Sequence, residues 1–367
     1  MIRLLRPQVK EGVLRVKPYV GSEAKLSENE LINISSNESA FEASLLAHDA
    51  YINAAKDLRC YPEIDSISLR RAIAEKYGLN PGRIICGTGS DQIIDLIALA
   101  YAGVGDEVVY SAHGFQMYPI AAHAVGAMPV AAPEQNLTSS VDAILDKINE
   151  RTRIVFLANP NNPTGTMLNQ DELNRLHSGL PSSVVFVIDA AYAEYVTQNN
   201  YEPGIELARN KNNVIMTRTF SKIYALANLR VGWAYGPTDI IESLNRVRPP
   251  FNVNGPAIAA AIAALGDNEH TERSKSYNQE ILSWFTEEVK AMGLVVNPSV
   301  ANFVIIHFEE KSSKNAGVAY QYLFDKGIIT RRVDGYGLPN WVRVSMGTRE
   351  EMLIVRNALK EFVEQDE

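Results

Sequence analysis

The sequence predicts an α/β protein in two parts: a large domain over residues 37–250 with a mostly parallel sheet, and a smaller α+β domain from residues 1–36 and 251–367. Two observations carry that expectation. From about residue 66, helical periodicity alternates with short apolar runs and short turns, as a wound sheet requires. The runs lack the period-2 alternation of a strand with one wet face, so they suit strands covered on both sides.

Taken in order, the first 36 residues carry no α/β rhythm and are expected to pack against the second domain. Residues 66–77 read as an amphipathic helix, 83–86 as a strand and 90–101 as a helix. Strands follow at 107–110, 153–158, 184–188, 213–217 and 231–235, with 198–213 a polar, loop-rich insertion. After Arg248-Pro249-Pro250 the texture changes. One long helical stretch covers 256–292, then strands fall near 302–308 and 341–345 with helices on either side.

Composition narrows the function classes. A formal net charge of -8 with no Lys/Arg run argues against a nucleic-acid surface. No window approaches the roughly 18 apolar residues of a membrane span, and the start has no signal-peptide core, so the chain reads as cytoplasmic. Cys60 and Cys86 are too few for a disulfide framework or a metal knuckle and read as two reduced thiols near the core. No metal is expected.

The chemistry centres on Lys222 in Arg218-Thr219-Phe220-Ser221-Lys222, eight residues before Arg230. A lysine beside a hydroxyl residue, with an arginine two helical turns on, can hold a carbonyl cofactor covalently while Ser221 and Arg230 grip its phosphate. Pyridoxal phosphate fits that description. Asp189 ends an apolar strand run, where a carboxylate would point off the sheet edge; its plainer reading is a turn cap. Gly87-Thr88-Gly89-Ser90-Asp91 joins a strand to a helix whose start can bind phosphate. It resembles a dinucleotide fingerprint, but Gln92 stands at the last glycine position and no acidic residue closes a second strand at the expected distance. Phe115 reads plainly as a core aromatic.

These motifs resemble the aspartate aminotransferase superfamily, and within it the histidinol-phosphate aminotransferases. The resemblance rests on Asn159-Pro160-Asn161-Asn162-Pro163-Thr164-Gly165, Asp189-Ala190-Ala191-Tyr192, Ser221-Lys222 and Arg230, in that order. It extends from Lys17-Pro18-Tyr19 to Arg343-Val344-Ser345-Met346-Gly347-Thr348. It implies the pyridoxal-phosphate transferase fold (fold type I) and a lysine, Lys222, that binds the cofactor and then moves protons. It further implies that Asp189 faces the ring nitrogen, that Tyr192 and Asn162 donate to the ring oxygen, and that Phe115 stacks on the ring. Gly89, Ser90, Asp91, Ser221 and Arg230 would form the phosphate cup. Tyr61 would cross a homodimer interface to the partner's phosphate.

For substrates, the resemblance implies histidinol phosphate and glutamate or 2-oxoglutarate. Arg343 would meet their shared anion position, Arg331 the substrate phosphate with Arg332 as an adjacent competitor, and Tyr19 would close over the site. Aromatic amino-acid or arogenate transamination and threonine-phosphate decarboxylation share the motif set. Two departures stand out: Asn37-Glu38-Ser39-Ala40 lacks the family's proline, and Asn228 replaces the usual glycine before Leu229-Arg230.

Overall fold

A computed structural model describes residues 8–16, 18, 31–311 and 313–365. Its centre is a seven-stranded sheet in the order Ile84–Gly87, Gly232–Tyr235, Val214–Thr219, Val185–Asp189, Thr152–Ala158, Glu107–Ser111, Met128–Ala132. The last five run parallel, whereas Gly232–Tyr235 is antiparallel to both neighbours. The strand Met128–Ala132, which carries a proline and sits at the edge, was not expected from the sequence.

The absence of alternation in the apolar runs has the physical cause assigned to it. Phe186 and Ile188 enter one core cluster and Val185 and Val187 the other. Likewise Val155 and Leu157 face one layer of helices, Ile154 and Phe156 the opposite layer. Each such fully buried side chain contributes about 1.5–3 kcal/mol, so both faces must be apolar for the sheet to hold its helices. Because the parallel strands share one direction, Ala158, Asp189 and Thr217 stand side by side near their carboxyl ends.

A second, antiparallel sheet runs Val295–Val296, Phe303–His307, Trp341–Ser345, Arg331–Arg332, with its own core around Phe285, Val344 and Leu359. Ile32–Asn33 pairs in parallel with Ile328–Ile329 beside it. The final helix, Arg349–Glu364, begins with a capping box in which Thr348 and Glu351 satisfy each other's backbone N–H groups.

Several expectations are corrected. The long helix is two, Gly255–Gly266 and Asn268–Ala291, separated by Asp267, whose side chain caps the second at His270 N–H. Gly255–Gly266, expected in the second domain, packs on the helices Leu45–Ala54 and Ile67–Tyr77, with Ala257, Ala261 and Leu265 in the large core. Its small residues allow that close approach. The N-terminal turn Glu11–Arg15 lies against Met117–Val125 of the large domain, whereas Ile32–Asn33 lies beside the second sheet, paired with Ile328–Ile329 in a separate two-stranded sheet. The polar insertion contains the helix Ile205–Asn210, anchored by Leu207 and Ala208. Cys86 is buried but Cys60 is exposed. Tyr19 lies outside the described residues. Among those residues no helix is long and apolar enough to cross a membrane, and no cluster of three metal-ligating side chains occurs.

Candidate active site

The carboxyl ends of the parallel strands open into a cavity of about 310 Å³. Asp189, the last residue of its strand, forms part of the floor and is 4% exposed. Tyr118 Oη donates to its Oδ2 at 2.8 Å and Thr217 Oγ1 to its Oδ1 at 3.1 Å. Burial pushes the carboxyl above its ordinary value, while Tyr118, Thr217 and the Ala191 N–H oppose that rise by binding the charged form. Tyr118 is itself held by stacking on Phe156, with ring centroids 4.7 Å apart.

Lys222 follows the strand Val214–Thr219 through buried Phe220 and Ser221. Its Nζ donates to the Ser36 carbonyl at 3.0 Å and lies 5.7 Å from the centre of the Tyr192 ring. Burial lowers the amine to about 7; Arg343 and Arg230 act in the same direction, and Glu38 opposes them. An ordinary lysine at neutral pH is uncharged in only roughly one molecule in 2,500. Here the neutral, nucleophilic form is abundant.

Elsewhere the cavity wall carries groups that can bind an anion. The helix Gly89–Tyr101 points its first N–H groups there, with Ser90 and Asp91 in the wall. Arg230 Nη1 donates to Ser221 Oγ at 3.2 Å, and Nη2 to Asp91 Oδ1 at 2.8 Å. Gly89 has φ +81°, and a Cβ on it would come within 2.5 Å of Arg230 Nη2. A Cβ on Gly232 would come within 2.3 Å of Ser90 N, so glycine there lets the strand pass directly behind the cup. Gln92, which broke the dinucleotide pattern, accepts from Thr88 N at 2.8 Å and from Asn252 Nδ2 at 2.7 Å, bracing the loop.

Arg343 enters from the second sheet, 4% exposed. Nη1 donates to Asn162 Oδ1 and Nη2 to the Ser35 carbonyl, each at 2.6 Å, while Nε is buried with no partner among the described residues. Arg331 stands directly opposite Arg343 in register, so both side chains leave the same face. Arg332 leaves the other face, where it pairs with Asp334 at 3.4 Å. Only the pairing of strands separates these two neighbours.

The cavity thus gathers Lys222, Asp189, Tyr192, Asn162 and Phe115 with Ser90, Asp91, Ser221, Arg230 and Arg343. Gly89 shapes it from behind, and Arg331 lies beside Arg343 without lining it. Tyr61 is elsewhere on the surface, 83% exposed and stacked on Phe251 at 4.7 Å. Asn228 needs no glycine-like backbone, because the left-handed positions of this turn are Ala225 and Arg230. Sequence reasoning missed Tyr118 and Thr217, which reach Asp189 from 71 and 28 residues away, and Asn37 with Ser345, 308 apart. Only the spacing of Ser345 two residues after Arg343, on the same strand face, offered a signal.

The profile of the family Aminotransferase class I and II matches residues 25–359. A histidinol-phosphate aminotransferase of Nitrobacter hamburgensis is 47% identical over 362 residues, covering 98% of this chain and 99% of that one. Another, of Rhodospirillum centenum, is 49% identical over 353 residues, covering 96% and 97%. The crystal structure of histidinol-phosphate aminotransferase from Sinorhizobium meliloti in complex with pyridoxal-5'-phosphate is similar at a TM-score of 0.91 and 27% identity, covering 98% of each chain.

Proposed function

The chain belongs to the class I and II aminotransferases, and from that premise we propose that it moves the amino group between L-histidinol phosphate and 2-oxoglutarate in histidine biosynthesis, with pyridoxal 5'-phosphate as cofactor. The observation that carries the reading is that Lys222, Asp189 and Arg343 line one cavity in a chain 47–49% identical, almost end to end, to relatives of that name.

The residues present fit the cofactor. Gly89 leaves no side chain between Arg230 and the helix start, so the N–H groups, Ser221 and Arg230 make a cup suited to a phosphate dianion. Asp189 would hold the ring nitrogen, with Tyr192 and Asn162 at the ring oxygen and Phe115 against the ring. When bound, the cofactor supplies an electron sink that weakens the substrate's carbon–hydrogen bond. Lys222, whose amine burial lowers to about 7, would be the base that moves a proton between the substrate carbon and the cofactor. Arg343 holds the substrate anion in a dry site, where a charge-assisted contact is strong. Tyr61, exposed beside Phe251, is read as reaching a partner subunit's site in a homodimer.

Histidinol phosphate has no carboxylate, but its phosphate hangs one methylene from the amine-bearing carbon, close to where glutamate carries its α-carboxylate. One arginine therefore serves both half-reactions. Arg343→Ala is expected to weaken histidinol phosphate and glutamate together by about ten- to a hundredfold. Arg331→Ala is expected to hurt the phosphorylated substrate far more, since a phosphate can engage two arginines. Steady-state kinetics with histidinol phosphate, glutamate and phenylalanine checks this. Equal losses for all three in Arg331→Ala would make Arg331 structural and favour an aromatic amino donor.

A further inference from the structure

Asn37 lines the cavity but has no part in the chemistry above. It is 1% exposed, with φ +55°, a region asparagine enters more readily than most residues. Its N–H donates to Ser345 Oγ at 2.9 Å, and Ser345 Oγ donates its only proton to Asn37 Oδ1 at 3.0 Å. With Oδ1 taken, the Nδ2 end meets Tyr192 Oη at 2.9 Å. The reversed amide would set a second donor against Ser345 Oγ and take this acceptor from the buried Ser345 proton. Ser345 therefore settles which way the amide faces. At that contact Asn37 donates and the Tyr192 oxygen accepts, so the phenolic proton is directed away from Asn37.

We propose that Asn37 is a positioning residue that acts through Tyr192: locked by Ser345, it keeps the Tyr192 hydroxyl a hydrogen-bond donor toward the cavity. Ser345 stands two residues after Arg343, and both leave the same strand face. The arginine for the substrate anion and the group that orients the Tyr192 proton thus ride on one rigid strand.

The inference rests on pyridoxal phosphate occupying the site, with Tyr192 donating to its ring oxygen. Losing that donor leaves the ring oxygen more basic, so the group that shares its proton titrates higher. The test is a pH titration of the holoenzyme's cofactor absorption. Asn37→Asp keeps the shape but offers Tyr192 only an acceptor, and should raise the spectroscopic pKa by about one unit. Asn37→Gly, which tolerates the backbone angle and leaves the phenol unconstrained, should raise it less. In a Tyr192→Phe background, Asn37→Asp should add nothing. An unchanged titration in folded Asn37→Asp would overturn the proposal. So would an equal rise in the Tyr192→Phe background, which would mark the through-space charge of the new carboxylate. If Asn37→Asp does not fold, Ser345→Ala, which releases the amide, should shift the titration in the same direction, and no shift there overturns the proposal. A wild-type protein with no titrating cofactor band would sink the cofactor reading itself, whereas a titrating wild type with insensitive variants sinks only the role of Asn37.

Discussion

The Lys222→Ala variant is expected to fold and bind pyridoxal phosphate without a covalent link, and to lose transamination by roughly 10⁴-fold, the upper end of what a positioned acid–base group supplies. The size of the loss follows from the neighbourhood. Nζ touches the Ser36 carbonyl, and among the described residues no other lysine lines the cavity. The cup of Ser221, Arg230 and the helix start is untouched by the change, so phosphate binding should survive. Borohydride fixes the cofactor's carbonyl carbon to whichever nitrogen holds it, and peptide mapping then identifies the residue. Label on any lysine other than Lys222 refutes the assignment.

The same group gives a pH prediction with a definite sign. Its amine is lowered to about 7, so the neutral form grows as pH rises through that value and is nearly complete by about pH 8. Capture of free cofactor by the apoprotein should accelerate from pH 6 and level off near pH 8. An unperturbed lysine would keep accelerating toward roughly pH 10.4. Stopped-flow absorption across that range separates the two cases.

Asp189→Asn is expected to keep the fold and slow the reaction by roughly 10²–10³-fold, the range for removing one preorganised electrostatic contact in a site. Folding should survive because Tyr118 and Thr217 meet this side chain through hydroxyls, which accept as well as donate, so an amide in the same place finds partners. Rate should fall because a neutral amide cannot hold the ring nitrogen protonated. A near-native rate in a folded, cofactor-loaded Asp189→Asn protein would show that the carboxylate's charge is not used.

Much of the cavity could be read from the chain because its parts are local. Ser221-Lys222 and Arg230 lie on one turn, Asp189 and Tyr192 on another, and Ser90 and Asp91 start one helix; short-range geometry holds each group together. The large sheet was equally readable, since strands buried on both faces must be apolar without alternation, as Val185–Asp189 is. Contacts between distant segments were not readable. Thr217 reaches Asp189 only because two parallel strands pair in that register, and Tyr118 only because its helix lies over the same strand ends. The helix Gly255–Gly266 was assigned by texture to the wrong layer, because composition says that a surface is apolar and close-packing but not which partner covers it.

The sequence by itself determined the wound sheet and the local motifs that line the cavity, because hydrophobic period and turn chemistry act over a few residues. Tertiary structure alone decided that Arg331 and not Arg332 stands beside Arg343, that Lys222 is desolvated enough to be half neutral near pH 7, and that Ser345 turns the Asn37 amide toward Tyr192. Register, burial and hydrogen-bond direction are properties of segments brought together from across the chain, and no local pattern encodes them.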